Sequence, residues 1–341
     1  MDSLTHIVVG GALGELMLGK KIGNKAIIAG AVANTIPDLD VFFTRFAATP
    51  ADALYMHRGF THAFFFHPFI AIPFAFLLFN ILKRKVPLLI CYLVFLTGFV
   101  THVLMDGGTA YGTQMLLPFT NKLISWNNLA VVDPLFTIAP LIFFIAVWFI
   151  KKENNFRRKF ATVSLIVSLF YLGTSTFNKF NSTSIFKQNL KEKNIIVDDL
   201  TSTPTMFTSW LWNMIAYNDS TIYLAEYSVF QNSKDVNIIQ YQRNLSELQP
   251  IKNTHAVQTA IWFSDGKYFV QRENKDTLNF FNIKWGRGDF SQTSAKEAFR
   301  FYAQLYKDKS GETTFTMVEP DFTSKDFKNY FSMLKKRIFN Y

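Results

Sequence analysis

The sequence contains one cysteine in 341 residues, and that residue, Cys91, lies within an apolar run. A single cysteine excludes a disulfide framework and a zinc site built on cysteine ligands. The net charge of +10 could indicate nucleic-acid binding, but no basic face with interleaved aromatic residues accompanies it, so we expect none. We also expect no cleavable signal peptide, because the chain starts with Asp2 rather than with a basic segment.

Charged residues are scarce in the first half of the chain. Residues 1–174 contain 14 Lys/Arg and 8 Asp/Glu, whereas the other 167 residues contain 21 and 17. This contrast predicts a polytopic membrane domain at residues 1–175 and a soluble domain at residues 176–341. The length of the chain also favours about two domains.

Long apolar runs occupy much of the first half. Residues 63–82 form a run of 20 residues, which is about the length needed to cross 30 Å of hydrocarbon. Further runs cover residues 88–105, 135–150 and about 160–174, and two shorter, glycine-containing runs cover residues 4–19 and 26–36. Small residues let membrane helices approach closely, so the two short runs predict a tightly packed hairpin. We therefore predict a mainly α, multi-pass membrane domain with about five to six apolar helices, the first two short.

Clusters of basic residues predict the orientation of these helices. They lie at residues 20–25, 83–85 and 151–159. The positive-inside rule assigns such clusters to the cytoplasmic side of a membrane. The opposite, extracytoplasmic side would then hold most of the chain's histidines and the C-terminal domain.

The C-terminal part is polar and predicts an α+β domain. Runs rich in β-branched and aromatic residues predict strands at residues 221–230, 237–242, 257–263, 267–271 and 277–285. The dipeptide Asp265-Gly266 predicts a hairpin turn. Apolar periodicity predicts helices at residues 295–307 and 324–338.

Three short motifs concentrate side chains that bind metal ions. They are Pro37-Asp38-Leu39-Asp40, His57-Arg58-Gly59-Phe60-Thr61-His62 and His102-Val103-Leu104-Met105-Asp106. His102 and Asp106 are spaced i, i+4 on a helix, so they share a face and could bind one divalent ion. Asp38 and Asp40 would repel each other unless a cation or an arginine lay between them. Taken alone, one of these aspartates favours a capping or solvated position at the interface. Gly59 predicts a bend through which His57 and His62 could converge.

The candidate ligands fall on one predicted membrane face together with a histidine from the first apolar run. They are His6, Asp38, Asp40, His57, His62, His102 and Asp106. Seven ligands exceed what one tetrahedral ion uses, so one or more divalent ions are expected. Arg58 is a candidate catalytic residue that would contact an anionic substrate group, with an interfacial arginine as the alternative.

Other polar residues in the first half have simpler interpretations. His6 taken alone favours an interfacial residue, Asp133 before Pro134 favours a helix N-cap, and His67 favours a structural role. An intramembrane carboxylate such as Glu15 needs a partner, either at the metal site or in a nearby lysine. His255 lies in a polar segment and favours a surface position.

The motifs also resemble a known family. The order Asp2-x-x-Thr5-His6, Pro37-Asp38-x-Asp40, His57-Arg58-Gly59-x-Thr61-His62 and His102-x-x-x-Asp106 resembles the membrane-bound metal-dependent hydrolases of the YdjM type, including the YfhP-like group. The glycine-rich first 40 residues and the segment from Trp126 to Asp133 fit the same pattern. This resemblance implies a zinc site, with manganese as the alternative, and hydrolysis of a phosphoester.

Three functions of different class follow from these observations. The leading hypothesis is a metal-dependent hydrolase of the bacterial inner membrane. It would act on a small-molecule or lipid phosphate at the extracytoplasmic boundary of the membrane, among membrane lipids. The second is a transporter, because Glu15 lies among glycine-broken apolar runs. The third is an envelope scaffold whose soluble domain binds a partner while the metal is structural.

Overall fold

The computed structural model describes residues 1–288, 292, 294–299, 301–318 and 324–339, the last of these with side chains from residue 328 onward. The chain divides into two compact units. The first unit contains Met1–Phe46, Met56–Trp126 and Ala130–Thr174, and the second contains Ala47–Tyr55, Asn127–Leu129 and Ser175–Tyr341. Two short segments from the first half of the sequence therefore belong to the second unit.

Helices dominate the first half of the chain. They are α1 (Ser3–Ile22), α2 (Asn24–Ala33), α3 (Val41–Thr44), α4 (Pro50–Met56), α5 (His67–Ile81), α6 (Leu88–Gly107), α7 (Pro134–Ala146) and α8 (Phe156–Glu192). Short 3₁₀ turns lie at Ile36–Asp40, Phe60–His62 and Val147–Phe149. The first two of these turns contain three of the candidate ligands, namely Asp38, Asp40 and His62.

Two of the described helices, α6 and α8, are long and apolar enough to cross a membrane. Up to four spans result if each of two bent pairs counts as one: residues 24–44, bent by 47°, and residues 50–81, bent by 69°. The prediction of about five to six apolar helices was therefore too high for the described residues. The run at residues 63–82 shows one reason, because the backbone is extended at Ala63 and α5 begins only at His67.

The predicted hairpin of the two short runs is confirmed in α1 and α2. A Cβ atom added to Gly14 would lie 2.1 Å from the carbonyl oxygen of Ala26, and one added to Gly30 would lie 2.1 Å from that of Gly10. Only glycine permits so close an approach of two backbones. The hairpin thereby places the first turn of α1 beside the last turn of α2.

A buried ion pair ties α1 to the start of α8. Arg157 donates from Nη2 to Glu15 Oε2 at 2.7 Å and from Nε to Oε1 at 3.1 Å. The same guanidinium donates to Asn24 Oδ1 at 2.8 Å and to the carbonyl of Ile150 at 2.7 Å. Glu15 thus pairs with an arginine, and among the described residues it has neither a lysine partner nor a place in the candidate metal group.

The second unit contains two antiparallel four-stranded sheets, each with its strands in sequence order. The first sheet consists of β1 (Asp199–Pro204), β2 (Leu211–Tyr217), β3 (Thr221–Ser228) and β4 (Ile239–Gln242). The second sheet consists of β5 (Tyr268–Arg272), β6 (Leu278–Asn282), β7 (Tyr302–Lys307) and β8 (Thr313–Val318). The helices of this part are α9 (His255–Ser264), α10 (Ala295–Ala298) and α11 (Ser324–Phe339), and a 3₁₀ turn lies at Leu245–Ile251.

Two hydrophobic clusters hold these sheets to helices of the same unit. The end of α8 packs on the first sheet through Ile185, Phe186 and Leu190. The second sheet packs against α9 and also against α4, whose Ala51 is 3% exposed within that cluster. The segment between the Asp38 and His57 motifs is thus part of the core of the second unit.

Four of the five predicted strands correspond to β3, β4, β5 and β6, and the helix predicted at residues 324–338 is confirmed as α11. The strand predicted at residues 257–263 is wrong, because this stretch is α9. Its buried side chains include Val257, Ala260 and Phe263, which follow helical spacing despite their strand-favouring neighbours. Asp265, with φ 51°, ends α9 instead of forming a hairpin turn.

The helix predicted at residues 295–307 is also wrong. Only Ala295–Ala298 is helical, and Tyr302–Lys307 is a strand that pairs with both β6 and β8. Position 300, which the prediction included, lies outside the described residues. The pairing partners of this strand lie elsewhere in the chain, so local periodicity did not reveal it.

Candidate metal centre

Candidate ligands from three elements of the first unit lie close together. Asp38 and Asp40 lie in the 3₁₀ turn that follows α2, His62 ends the turn Phe60–His62, and His102 and Asp106 lie in the last turns of α6. Pro37 is the second residue of the first turn and prevents α2 from continuing. Gly59, with φ −86° and ψ −124°, precedes the second turn and separates it from α4.

Four side chains, Asp38, His62, His102 and Asp106, each present one donor atom to a common point, and these atoms lie within 4.8 Å of one another. His102 Nε2 is 3.1 Å from His62 Nε2 and 3.4 Å from Asp38 Oδ1. Asp106 Oδ2 is 3.4 Å from His62 Nε2 and 3.6 Å from His102 Nε2, and His62 Nε2 is 3.6 Å from Asp38 Oδ1. Ligand atoms about 2.0–2.1 Å from a tetrahedral ion are separated by about 3.3–3.4 Å, which matches these distances.

Hydrogen bonds on the far side of each imidazole fix its tautomer. His102 Nδ1 donates to the carbonyl of Asn34 at 2.8 Å. His62 Nδ1 is 3.0 Å from the Thr61 hydroxyl, which in turn donates to Asp40 Oδ2 at 3.2 Å. With hydrogens on both Nδ1 atoms, the neutral rings present the lone pairs of both Nε2 atoms to each other. The two Nε2 lone pairs and the two carboxylates could all bind a cation placed between them.

Asp106 supplies a second indication of a cation. Its side chain is fully buried, and its Oδ2 atom accepts no hydrogen bond from the described residues, although Arg58 Nε lies 3.2 Å from it. A buried carboxylate oxygen without a hydrogen bond is costly. The other oxygen, Oδ1, contacts the α-amino group of Met1. The chemistry of the donor set and this oxygen therefore fit a divalent ion.

Asp40 and His57 are not among the four converging side chains but lie next to them in the structure. Asp40 accepts hydrogen bonds from the backbone N–H of Arg58 at 2.7 Å and from His57 Nδ1 at 2.9 Å, in addition to Thr61. Its carboxylate therefore holds the segment that carries His62 in place. His57 is 28% exposed and contacts this carboxylate.

His6 lies on the other side of Asp106. Its fully buried ring stacks on that of His102 with centroids 3.8 Å apart, and its Nε2 atom is 3.3 Å from Asp106 Oδ1. Its Nδ1 atom has no hydrogen-bond partner in the part of the chain that the structure describes. The amide of Asn34 donates to the carbonyl of His6 at 2.7 Å, which joins α1 to the end of α2 at this point.

Arg58 brings a positive charge to the edge of the group. This residue is 5% exposed, and its Nε atom is 3.2 Å from Asp106 Oδ2. The guanidinium lies over the ring of Tyr111 at 4.4 Å, and its Nη1 atom has no hydrogen-bond partner among the described residues. Burial raises the pKa of the Tyr111 hydroxyl to about 12, so the ring under the guanidinium stays neutral.

Residues 1–181 match the family described as YdjM inner membrane protein. The chain belongs to this family. A protein of Bacillus subtilis (strain 168), described as "Uncharacterized protein YfhP", is 32% identical over 160 residues, which are 44% of this chain and 46% of that protein. The chain thus spans about half the length of the curated relative it matches. No solved structure matches the chain.

The family assignment made from the motifs is therefore confirmed, and its matched region contains the whole candidate centre. The family description names the inner membrane, and α6 and α8 are able to span one. The chain is accordingly a membrane protein of the YdjM family.

The remaining polar residues of the sequence analysis have structural partners. His67 Nε2 is 3.1 Å from the carbonyl of Thr61, and His255 Nε2 is 2.9 Å from Asp52 at the surface. Asp133 is the predicted N-cap of α7 and accepts hydrogen bonds from Phe136 N and from the Tyr171 hydroxyl. Burial raises the pKa of the Asp133 carboxyl to about 6.

Sequence reasoning missed Asn34 and Tyr111. Asn34 contacts two histidines: its backbone carbonyl accepts a hydrogen bond from His102 Nδ1, and its side-chain amide donates to the carbonyl of His6. The sequence feature that could have pointed to Asn34 is its position as a polar residue directly after a run of small apolar residues. Tyr111 lies in a long loop after α6, and nothing in its local sequence distinguishes it.

Proposed function

We propose that the chain is a membrane-bound, metal-dependent hydrolase with its centre at Asp38, His62, His102 and Asp106. The observation that carries the proposal is the approach of two imidazole Nε2 atoms and two carboxylates to one point, with spacings of 3.1–3.6 Å. Two nitrogen and two oxygen donors suit zinc, with manganese as the alternative. When bound, such an ion would polarise a substrate oxygen and lower the pKa of a water molecule towards about 7.

The surrounding residues would position these ligands. Asn34 orients His102 through its carbonyl, and Asp40 acts on His62 through Thr61. Outer partners of this kind set the direction of the ligand lone pair. His6 supports the ring of His102 by stacking and contacts the second oxygen of Asp106.

Arg58 would bind the anionic group of the substrate. Its Nη1 atom is buried and lacks a hydrogen-bond partner among the described residues, while its Nε atom approaches Asp106 Oδ2. The guanidinium, which lies over the ring of Tyr111, is planar, and its donors suit two oxygens of a phosphoryl group. A phosphoester is therefore the substrate class that this arrangement favours.

Exposed aromatic side chains beside the ligand motifs favour a lipid-linked substrate. Phe42 and Phe43 follow Asp40 and are 53% and 51% exposed, and Phe60, two residues before His62, is 51% exposed. The acyl chains of a lipid phosphate could contact these apolar side chains, whereas a small charged substrate has no apolar group to do so. The distribution of basic residues supports an extracytoplasmic position of the centre.

The alternatives have less support. Glu15, which motivated the transporter hypothesis, is engaged by Arg157 in a buried ion pair. A scaffold with a structural metal remains distinguishable by experiment, because it would bind the ion without hydrolysing anything.

Metal analysis and hydrolysis assays on the purified chain test the proposal. We expect about one zinc or manganese ion per chain, its loss in His62→Ala, and its retention in His255→Ala, which removes a surface histidine outside the centre. We expect hydrolysis of a phosphodiester dye or of phosphatidic acid by the metal-loaded protein, abolished in His62→Ala. Absence of stoichiometric metal would refute the centre, and metal without hydrolysis of either class of substrate would refute the enzyme.

A further inference from the structure

The exposed face of α8 changes from apolar to polar at one level of the helix. Large apolar side chains are exposed from Val163 to Phe170 and again at Phe177 and Phe180, the last 66% exposed, with Gly173 and Thr174 exposed between them. Beyond it the exposed residues are polar, namely Ser184, Lys187, Gln188, Lys191 and Glu192. From Lys159 to Phe180 the helix rises about 31 Å at 1.5 Å per residue, close to the roughly 30 Å of a hydrocarbon core. One boundary of the bilayer therefore falls near Phe180.

A group of aromatic side chains in the second unit lies at this level of α8. Asn178 donates from its amide to the carbonyl of Ser209 at 3.3 Å. The next residue, Trp210, packs edge-on against Phe230 at 5.5 Å between ring centroids and against Phe339 at 6.2 Å. Phe230 and Phe339 are 50% and 51% exposed, although they contact each other at 5.1 Å.

Helix α11 extends this aromatic surface and adds positive charge. Phe331, Lys335 and Phe339 are exposed at i, i+4 and i+8, so they form one stripe. The opposite side of α11 is buried through Tyr330, Leu334 and Ile338, which pack with Leu211 of β2. Helices with aromatic and lysine side chains on one exposed side lie in the interface between lipid and water.

We propose that the second unit rests on the surface of the bilayer that α8 crosses, through a face formed by Phe230, Phe331, Lys335, Lys336 and Phe339. The aromatic rings lie at the level of the lipid headgroups, where such rings are enriched in membrane proteins. Lys335 and Lys336 bind the headgroups of anionic phospholipids. Two observations favour a lipid surface as the binding partner of this face. They are the level at which α8 leaves the hydrocarbon and the positive charge of α11. This inference is independent of the metal centre.

Depth measurements on spin-labelled protein in lipid nanodiscs test this face. Single cysteines are introduced as Phe331→Cys and Phe339→Cys in a Cys91→Ala background of the full chain. Lys309→Cys, in the exposed turn between β7 and β8, is the matched control of the same unit. In nanodiscs of equal parts phosphatidylglycerol and phosphatidylcholine, we expect the ratio of oxygen to nickel-chelate accessibility at 331 and 339 to exceed that at 309 several-fold.

A second pair of measurements tests the headgroup charge. Nanodiscs of phosphatidylcholine alone, or the double change Lys335→Ala/Lys336→Ala, should lower the ratio at 339 at least twofold. The proposal is overturned if labels at 331 and 339 are as accessible to the nickel chelate as the label at 309. It is also overturned if neither the lipid nor the lysine change alters the ratio. Spin–spin broadening that disappears on dilution with unlabelled chain would assign the face to a second copy and overturn it as well.

Discussion

Two imidazole nitrogens that face each other at 3.1 Å, beside two carboxylates, make a costly arrangement in a buried site. Burial of a charged group costs several kcal/mol unless it is paired and hydrogen-bonded. Arg58 brings one positive charge close to Asp106, but the Oδ2 atom still lacks a hydrogen bond among the described residues. A divalent ion would satisfy all four donor atoms at once, and this is the physical argument for the centre.

The two aspartates of the Asp38 motif should behave differently when changed to asparagine. Asp38→Asn removes a charged donor from the group, and we expect stoichiometric metal binding to be lost. Asp40→Asn weakens only the support of His62, so one ion per chain should remain, with an affinity reduced by about 10–100-fold. Metal content by mass spectrometry and competition with a chelating dye measure the two effects. Equal loss in both variants would instead place Asp40 among the ligands.

The residues of the candidate centre were largely predictable. Which of them converge on one point, and which support the others, was not predictable. Asp38 and Asp40 lie in a 3₁₀ turn, where each residue rotates by about 120°, so their side chains point about 120° apart around the turn axis. The sequence indicates a turn after Pro37 without indicating its type. The partners of Asp40, His57 and Thr61, are 17 and 21 residues away, and such contacts depend on the tertiary fold.

At the scale of elements, the hairpin of α1 and α2 determines the alignment of the centre. The same hairpin carries His6 in α1 and places Asn34 directly after α2, where it contacts both His6 and His102. Gly10, Gly14 and Gly30 set the distance between the two helices. Small-residue spacing in the sequence was sufficient to predict this packing, because close helix approach in membranes depends on it.

Gly30→Ala should therefore damage both stability and metal binding. Its Cβ atom would lie 2.1 Å from the Gly10 oxygen and 2.7 Å from the Gly14 Cα atom, so the backbones must separate. Overpacking of this kind costs about 1–3 kcal/mol, and displacement of Asn34 should lower metal occupancy. Thermal unfolding in detergent and metal content measure the two effects.

Gly173→Ala in α8 is the control for this change, because a Cβ atom there has nothing within 4 Å. It should leave metal content unchanged and stabilise the helix by about 0.5–1 kcal/mol. If both alanine variants unfold alike and keep their metal, the hairpin does not position the centre.

Elements of the second unit were harder to predict. Local composition identified strands in which side chains alternate, but α9 contains Val257, Thr259 and Ile261, which favour strands intrinsically. Tertiary contacts of α9 with the second sheet override that preference. The spans were overcounted for a related reason, because apolar composition does not show where a backbone breaks, as it does at Ala63 before α5.

At the scale of the whole molecule, the sequence between two ligand motifs belongs to a different unit from the motifs themselves. Residues 47–55 are part of the second unit, while Asp40 precedes them and His57 follows them in the first. Composition predicts domains that are continuous in sequence, so it does not reveal such an insertion. The buried Ala51 in α4 is the residue that anchors it.

Ala51→Asp should release this segment from the second unit. The change would bury a carboxylate among apolar residues that include Leu248, Val257 and Phe315, which costs several kcal/mol unless the segment detaches. We expect trypsin to cleave after the exposed Arg45 several-fold faster in this variant, as followed by mass spectrometry. Ala48→Asp, at an exposed position of the same segment, should cleave at the wild-type rate. Equal rates in the two variants would show that α4 does not hold this connection between the two ligand motifs.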